Sequence, residues 1–360
     1  MNTPLMRAAA RRCSLLGTWL LCTLLACTAT PAANDTLPSL PTPISNNAVA
    51  AVTLNDGVHL VSFLGLKAGK THQDVTTASF HLAPGAQQWA ALPPPPGPGR
   101  LAATAATVGR TVYVFGGYTV AADGAEKSIE TVHALDLITQ RYTQVAAMPV
   151  PVDDTLSAVY AQRYIYLVSG WHDSGNVNLV QVYDTQEDVW FQATPFPGRA
   201  VFGQAGGIAG NTLVVCGGVY VHSTTGAREF KAEQACLRGD IRAADPTRID
   251  WRSIAAHPGA GRYRAAATGH DGTVVFAGGS DNPYNFNGIG YNDVPSNASE
   301  SVYVFDVFTN AWRTEVALSE PSMDHRGLLA LGNGRFAIVG GMRRAQRVSS
   351  GVLIWSPAPE

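Results

Sequence analysis

The sequence predicts an all-β fold in which one sheet-forming unit recurs along the chain. Apolar runs that end in Gly-Gly or Ser-Gly occur five times, at residues 112–117, 165–170, 213–218, 274–279 and 336–341. An aromatic residue lies 28 positions before the last glycine of the first four runs and 29 before that of the fifth: Trp89, Tyr142, Trp190, Trp251 and Trp312. A period held this closely marks a structural repeat.

Each unit reads as four short strands. Alternating apolar and polar residues, as at 131–135 and 301–305, follow the glycine pair and have the period of a half-buried strand. An aspartate stands six residues before the aromatic in four units, as Asp136, Asp184, Asp245 and Asp306. A short carboxylate accepts hydrogen bonds from the backbone that follows it, so these residues suit the opening of a turn between the third and fourth strands.

This pattern of diglycine, spaced aromatic and four strands resembles the kelch repeat, and the resemblance covers the chain from Leu37 to its end. The family implies a β-propeller. A single sheet buries one face at a time, whereas blades stacked around an axis cover both faces. We expect the glycine pair where no side chain fits, and the aromatic to pack across to the next blade.

The ends of the chain set the number of blades at six. Residues 58–65 read as a degenerate second strand, and 351–357 as a third strand without a fourth. Counting back 28 residues from Gly65 reaches Leu37, so we expect an N-terminal strand there to complete the C-terminal blade and close the ring. Seven blades, with one unrecognised, is the alternative. The expected propeller domain is 37–360, after a linker at 27–36.

Residues 1–26 have the character of a leader. Arg7, Arg11 and Arg12 precede an apolar stretch at 14–25 that ends in Ala26-Cys27. This ending resembles a bacterial lipobox, which implies acylation of Cys27 and an exported, lipid-anchored protein of the periplasm or outer membrane. Plain secretion after a nearby alanine is the alternative.

Composition excludes several classes of function. The chain of 360 residues is 46% hydrophobic and 14% charged with a net charge of −2, and it lacks the basic stripe that nucleic acid requires. No Cys/His cluster has zinc-ligand spacing, so we expect no metal and no cofactor. Cys216 and Cys236 lie equally far from residue 226, which makes them cross-strand neighbours able to form a disulfide in an oxidising compartment.

Function is expected where the units differ. The segment between diglycine and aspartate varies most, and these second-to-third-strand loops share one face with the fourth-to-first connections, around the channel mouth. Arginines that converge there favour an anionic or polyhydroxylated ligand. The expected ligand-binding residues are Arg100, Asp154, His172, Arg199, Tyr220, His222, Arg262, Arg264, Tyr284, His325 and Arg326.

Among exported propellers, the chain resembles the N-acetylneuraminate mutarotase (epimerase) family. The shared features are the N-terminal Leu-Pro segment, Phe-Gly-Gln-Ala-Gly at 202–206, and an Asn/Tyr-rich insertion at 281–291. The family implies a glutamate at the end of the fourth unit's second strand and an arginine in the following loop. This chain has Gly218 at the first position and Arg228 near the second. The resemblance therefore implies Arg228, with Glu229 or His222 substituting for the missing acid, as catalytic residues.

Two other interpretations stay open. A non-catalytic propeller that binds an envelope glycan or protein needs no proton transfer, and the absent glutamate favours it. A copper radical oxidase of the galactose oxidase type shares such blades but needs a Tyr–Cys pair beside copper-binding histidines. The expected partners are a small sugar or an envelope component, with the membrane contacted through the lipid anchor, and the protein is expected to be a monomer.

Overall fold

The structure is a computed structural model, and it describes residues 36–224 and 227–358. The predicted leader, Cys27 and all of the predicted linker except Thr36 lie outside the described residues. In the described part of the chain, no helical segment has the length and hydrophobicity of a membrane span. Two short 3-10 turns, His72–Asp74 and Arg344–Gln346, accompany an otherwise all-β architecture.

Six antiparallel sheets form the blades of a β-propeller, as the sequence predicts. The first five have four strands each and the sixth has three, ordered from the axis outward along the chain. The first blade consists of β1 (Ala48–Leu54), β2 (Gly57–Phe63), β3 (Ser79–Leu82) and β4 (Ala90–Ala91), and the second of β5 (Thr104–Val108), β6 (Thr111–Phe115), β9 (Val132–Asp136) and β10 (Arg141–Val145). The third consists of β11 (Leu156–Tyr160), β12 (Tyr164–Val168), β15 (Val180–Asp184) and β16 (Val189–Gln192), and the fourth of β17 (Ala205–Ala209), β18 (Thr212–Cys216), β21 (Cys236–Arg242) and β22 (Asp245–Ile254). The fifth consists of β23 (Ala266–His270), β24 (Thr273–Ala277), β25 (Val302–Asp306) and β26 (Ala311–Thr314), and the sixth of β27 (Leu329–Gly332), β28 (Arg335–Val339) and β29 (Val352–Trp355).

Small hairpins extend three of the second-to-third-strand loops. They consist of β7 (Tyr118–Val120) with β8 (Glu126–Ser128), β13 (Trp171–His172) with β14 (Gly175–Asn176), and β19 (Val219–Thr224) with β20 (Ala227–Ala232). These hairpins lie where the sequence shows the variable loops, so the extra residues do build additional structure on one face.

The innermost strands close the ring. β1 packs against β5, β5 against β11, β11 against β17, β17 against β23, β23 against β27, and β27 against β1. The glycine pairs lie where blades meet: Gly116 has φ +47, and a Cβ there would stand 2.4 Å from the carbonyl oxygen of Val152, which leads into β11 of the next blade. A side chain at this position would therefore require the neighbouring backbone to move.

The repeat aromatics pack on the preceding blade, and not on the next one as the sequence led us to expect. The indole of Trp190 donates to the carbonyl of Ala146 at 2.9 Å, and that of Trp312 donates to Ala255 at 2.7 Å. In both cases the acceptor lies four residues after the aromatic of the preceding unit. The indole N–H thus links each blade to the preceding one at a fixed spacing.

The N-terminal segment meets the sixth blade in a different register from the predicted one. No strand lies at Leu37; instead, the amide of Leu40 donates to the carbonyl of Ser350 at 2.8 Å, as Leu318 does to Glu300 in the fifth blade. By this equivalence Leu37 corresponds to Glu315, three residues after Trp312, and not to the aromatic position itself. The register of the described N-terminal segment therefore differs by three residues from the predicted one, and Pro38, Pro41 and Pro43 have no amide to donate to a strand pairing at Leu37.

Candidate functional site

Six residues with left-handed backbone surround the axis, one before each inner strand. They are Asn46, Ala102, Asp154, Gly203, Arg264 and Asp324, with φ between +49 and +73. Backbone hydrogen bonds connect several of them: the amide of Asp154 donates to Ala102, that of Gly203 to Asp154, and that of Arg264 to Gly203, at 2.8–3.1 Å. We call these six residues the axial ring.

A charge network fills the axial ring. The guanidinium of Arg264 donates to both Asp154 and Asp324, with Nη1 3.1 Å from Oδ1 of Asp324. Nη2 of Arg326 lies 2.8 Å from Oδ1 of Asp154 and 2.9 Å from Oδ1 of Asn46. The four charged side chains are at most 3% exposed and carry two positive and two negative charges. The network is therefore buried and internally neutral, as buried charges must be.

The titration of this region follows from burial and the two arginines. Burial alone would raise the pKa of Asp154, but the charges of Arg264 and Arg326 outweigh it and hold that pKa below its usual value. Burial, with the charges of Arg343 and Arg326, lowers the pKa of His325 well below its usual value. At neutral pH the network thus contains an ionised Asp154 beside an uncharged His325.

An apolar layer covers the axial ring on the side away from the inner strands. Residues just before the ring positions pair with residues just after the glycine pairs, for example Leu101 with Tyr118 and Phe202 with Val219. Together with Tyr263, Tyr284, Met323 and Met342 they form one buried cluster, the apolar cap. The axis is therefore closed on the loop face, where the sequence predicts a channel mouth.

Burial changes the interpretation of six expected ligand-binding residues. The structure encloses Asp154, Arg264, Tyr284, His325 and Arg326 in or beside the network, and it buries Arg100 separately, where Nη1 donates to Thr131 at 2.8 Å. Of these six, none offers its side chain to the outer loop face. For the charged residues of the network, the reason is that opposite charges from different blades meet at the axis and pair with one another.

The inner strands nevertheless enclose a cavity, the central channel, of about 410 Å³. Asp154, His325 and Arg326 line one end of it, and these side chains are buried. Thr53 and Gln162 line the other end and are exposed. The central channel therefore has a charged floor at the axial ring and opens on the face that carries the turns between first and second strands.

A second cavity, of about 500 Å³, lies on the loop face beside the β19–β20 hairpin. It brings together three expected residues, Arg199, Tyr220 and His222, which line it with Asn176, Ala200, Val221 and Lys231. We call it the hairpin cleft. The Arg199 guanidinium lies 4.4 Å from the centre of the Tyr220 ring, and its Nη1 is 3.4 Å from Oε2 of Glu233. The cleft thus combines cationic, aromatic and amide groups in one accessible place.

The expected catalytic residues lie outside both cavities. Arg228 and Glu229 are exposed on β20, and Oε2 of Glu229 is 2.7 Å from Nζ of Lys231. The hydrogen bond from Lys231 lowers the pKa of Glu229, so this carboxyl is ionised at neutral pH. Of the other expected residues, His172 bonds the carbonyl of Pro151 at 2.8 Å. Arg262 faces Asp281, with Nη1 3.8 Å from Oδ2.

The cysteine pair lies at the base of the hairpin. Cys216 ends β18, Cys236 begins β21, and the two form a disulfide with their Cα atoms 4.2 Å apart. The bond encloses the whole β19–β20 hairpin. Within the described ranges, no group of three or more His, Cys, Asp or Glu side chains is arranged to hold a metal ion.

Sequence reasoning missed several residues of these sites. Asn46 belongs to the charge network, and Asn176 and Lys231 belong to the hairpin cleft. A signal for Asn46 exists in the sequence, because it stands two residues before its inner strand just as Asp154 and Arg264 do. The cleft residues had no such signal, since they come from segments that meet only in the folded ring.

These features define a six-bladed propeller whose axis is closed on the loop face by the apolar cap, above a buried ion network. A model of the KLHDC2/KLHL20/DRC7 Kelch-repeats domain matches residues 48–279. The chain belongs to the kelch-repeat family.

Individual proteins share parts of this chain. Kelch domain-containing protein 3 of Homo sapiens is 24% identical over 236 residues, which cover 60% of this chain and 56% of that protein. Kelch-like protein 15 of Gallus gallus is 29% identical over 120 residues, covering 33% of this chain and 24% of that protein. The chain thus spans about half the length, or less, of these curated relatives. The solved structure of YjhT superposes with a TM-score of 0.70 at 18% identity, covering 90% of this chain and 98% of the other, and so shares the fold.

Proposed function

We propose that this protein binds a small carbohydrate or a similar polar ligand in the hairpin cleft and does not convert it. The observation that carries the proposal is the meeting of Arg199, Tyr220 and His222 in one open cavity. These side chains come from two segments, the connection that precedes β17 and the strand β19. A cavity of this size, with a few polar groups pointing into it, is the usual form of a small-molecule site.

The chemistry of the cleft suits a sugar because it offers both donors and an acceptor. Arg199 and Lys231 donate, and their carboxylate partners are partly exposed on the surface. The amide of Asn176 donates to the carbonyls of Ala200 and Val219, which leaves its buried Oδ1 without a partner among the described residues. A ligand hydroxyl would satisfy that acceptor, and an acidic sugar would also meet the two cations.

The absence of turnover is proposed because neither Arg228 nor Glu229 lines either of the two described cavities, although Lys231, the partner of Glu229, lines the hairpin cleft. Mutarotation requires a group that moves the anomeric proton while the sugar is held in place. Glu229 is exposed, and its hydrogen bond with Lys231 lowers its pKa. A general acid would need a raised pKa instead. Binding without turnover requires no proton-transferring group on the hairpin.

Calorimetry on the full chain tests the proposal, with N-acetylneuraminate as the acidic probe and N-acetylglucosamine as the neutral one. We expect Arg199→Ala and Tyr220→Ala each to weaken binding about tenfold or more, the first through a lost charge-assisted hydrogen bond and the second through a lost aromatic contact. Arg228→Ala is the matched control on the same hairpin and should bind as the wild type does. Failure of both sugars to bind would refute the proposal.

Proton NMR of freshly dissolved α-N-acetylneuraminate tests the second part. We expect the rate of anomeric equilibration to be the same with and without the protein. An accelerated rate that Arg228→Ala abolishes would favour the mutarotase hypothesis, which the resemblance to that family raised.

We further propose that the protein acts in the cell envelope, held by a lipid on Cys27. The support is the sequence of the leader, which lies outside the described residues. Expression with radiolabelled palmitate should label the wild type and leave Cys27→Ser unlabelled. Equal labelling of the two proteins would contradict the anchor.

A further inference from the structure

We propose that the central channel is a second ligand site, entered from the face opposite the hairpin cleft, and that it takes a small uncharged polyol. The channel is about 410 Å³, within the range of roughly 300–1,000 Å³ typical of small-molecule pockets. It is bounded by the inner strands of the blades and ends at the axial ring. Nothing in the proposed function of the hairpin cleft involves it.

Orphan polar atoms along the channel indicate a ligand. Arg326 lines the floor with a side chain that is 3% exposed, and its Nε has no hydrogen-bond partner in the described part of the chain. Gln204, also at the floor and 6% exposed, has an unpartnered Oε1. Further along the wall, the Oγ1 of Thr107 is likewise buried and unpartnered. Buried polar atoms rarely remain unsatisfied in folded proteins, so three along one cavity point to a molecule that satisfies them.

The mixture of donor and acceptor selects the chemical class. Arg326 Nε can only donate, Gln204 Oε1 can only accept, and the hydroxyl of Thr107 can do either. A hydroxyl group can form a hydrogen bond with each of these three atoms, because it both donates and accepts. A molecule with several hydroxyls on a short carbon chain would therefore bond to the floor and to the wall together.

The charge of the floor argues for an uncharged ligand. Arg326 and Asp154 both line it and are paired with each other at 2.8 Å, while Arg264 and Asp324 complete the neutral network behind them. An anion attracted by Arg326 would be repelled by Asp154, and a cation attracted by Asp154 would be repelled by Arg326. The network thus leaves hydrogen bonding, and not net charge, as the means of recognition.

The walls favour a slender ligand without an aromatic ring. They consist mainly of small residues, which include Ala50, Ala106, Ala158, Gly206, Gly207 and Gly269. The strands β17 and β23 come so close that a Cβ on Gly269 would lie 1.9 Å from the carbonyl oxygen of Ile208. The channel therefore offers backbone and hydroxyl groups but no broad apolar face for stacking.

The experiment uses ribitol as the probe and calorimetry on the purified full chain. We expect wild-type protein to bind ribitol in preference to acetate and to methylammonium. Thr107→Val keeps the shape of the side chain but removes the orphan hydroxyl, and should weaken ribitol binding about three- to tenfold. Thr53→Trp, at the exposed entrance, should abolish binding without disturbing the floor.

Arg199→Ala, in the hairpin cleft, is the control that separates the two sites, and it should bind ribitol as the wild type does. Undetectable ribitol binding to the wild type would overturn the proposal, as would binding that survives Thr53→Trp. If acetate or methylammonium bound more tightly than ribitol, the proposal that the channel takes an uncharged ligand would be overturned. Loss of ribitol binding in Arg199→Ala would assign the ligand to the cleft and also refute a separate channel site.

Discussion

Replacing Asp154 by asparagine should destabilise the propeller strongly, because the carboxylate holds two buried guanidiniums. Asp154 accepts from Arg264 and Arg326 and lies 3.4 Å from the hydroxyl of Tyr263. The variant keeps the size of the side chain. Asparagine also tolerates the left-handed backbone at this position, which has φ +49, so the expected loss reports the charge and not the backbone.

The structure gives the magnitude in two ways. Two charge-assisted hydrogen bonds at about 1.5–3 kcal/mol each amount to about 3–6 kcal/mol. Breaking a buried ion pair by removing one partner costs about 3–5 kcal/mol, because a charge remains buried without compensation. After Asp154→Asn, Arg264 and Arg326 face only the carboxylate of Asp324, so both arguments apply. We expect a loss of about 3–5 kcal/mol in the free energy of unfolding.

Urea denaturation at pH 7, followed by tryptophan fluorescence, measures this loss. Arg264→Met in the Asp154→Asn background returns the network to one positive and one negative charge. The double variant should therefore be more stable than the sum of the two single losses predicts, by at least about 1 kcal/mol. A loss below about 0.5 kcal/mol for Asp154→Asn, or strict additivity of the pair, would refute the description of the network as a coupled unit.

Three further predictions concern buried groups near the axis and the hairpin. Burial and the neighbouring Asp154 raise the pKa of Asp153 well above its usual value. At pH 7 the folded protein must therefore hold a proton on Asp153 that the unfolded chain releases, and this lowers the free energy of unfolding. Asp153→Asn should therefore stabilise the protein at pH 7 in urea denaturation, with a gain that shrinks toward about pH 4. Because the pKa of His325 is lowered in the folded protein, only the unfolded chain binds a proton at this histidine below about pH 6.5, and the free energy of unfolding should fall as the pH drops below that value. His325→Gln should reduce the dependence of the free energy of unfolding on pH in this range. An unchanged dependence would contradict a lowered pKa for His325. Replacing Cys216 and Cys236 together by serine should cost about 3 kcal/mol for a loop of 20 residues, and equal urea midpoints would show that the disulfide contributes nothing.

The blades could be predicted from the sequence because their determinants are local and repeated. The glycine pair, as at Gly117, is required where two backbones approach, and an indole such as that of Trp190 must find an acceptor on the adjacent blade. Both requirements recur at a fixed spacing and are visible without a structure. The register of the N-terminal junction differs by three residues from the predicted one because Leu37 was aligned by count alone. The hydrogen bonds of Leu40 and Trp89, which set the register, appear only in the fold.

The binding residues were predicted less well, because membership of a loop does not determine which partner a side chain finds. Arg199 and Arg264 both follow a repeat aromatic and both belong to fourth-to-first connections. Arg264 stands two residues before an inner strand, so its side chain meets charges from other blades at the axis. Arg199 lies further from its strand and remains at the surface beside Tyr220. A shift of a few residues thus separates a structural arginine from one that a ligand can reach.

The degree to which polar groups satisfy one another separates the structural parts of this propeller from its candidate sites. The Arg264 guanidinium meets two carboxylates and two tyrosine rings, so its charge is satisfied within the protein. Asn176 in the hairpin cleft and Gln204 on the channel floor each retain a buried oxygen without a partner among the described residues. Leaving a buried acceptor unsatisfied costs about 1–3 kcal/mol, and a ligand that bonds to it recovers that free energy on binding. The apolar cap therefore closes one face of the ring, and the ion network beneath it forms the floor of a cavity on the other, which is why ligand sites are to be sought beside the axis on the loop face and along the axis on the opposite face.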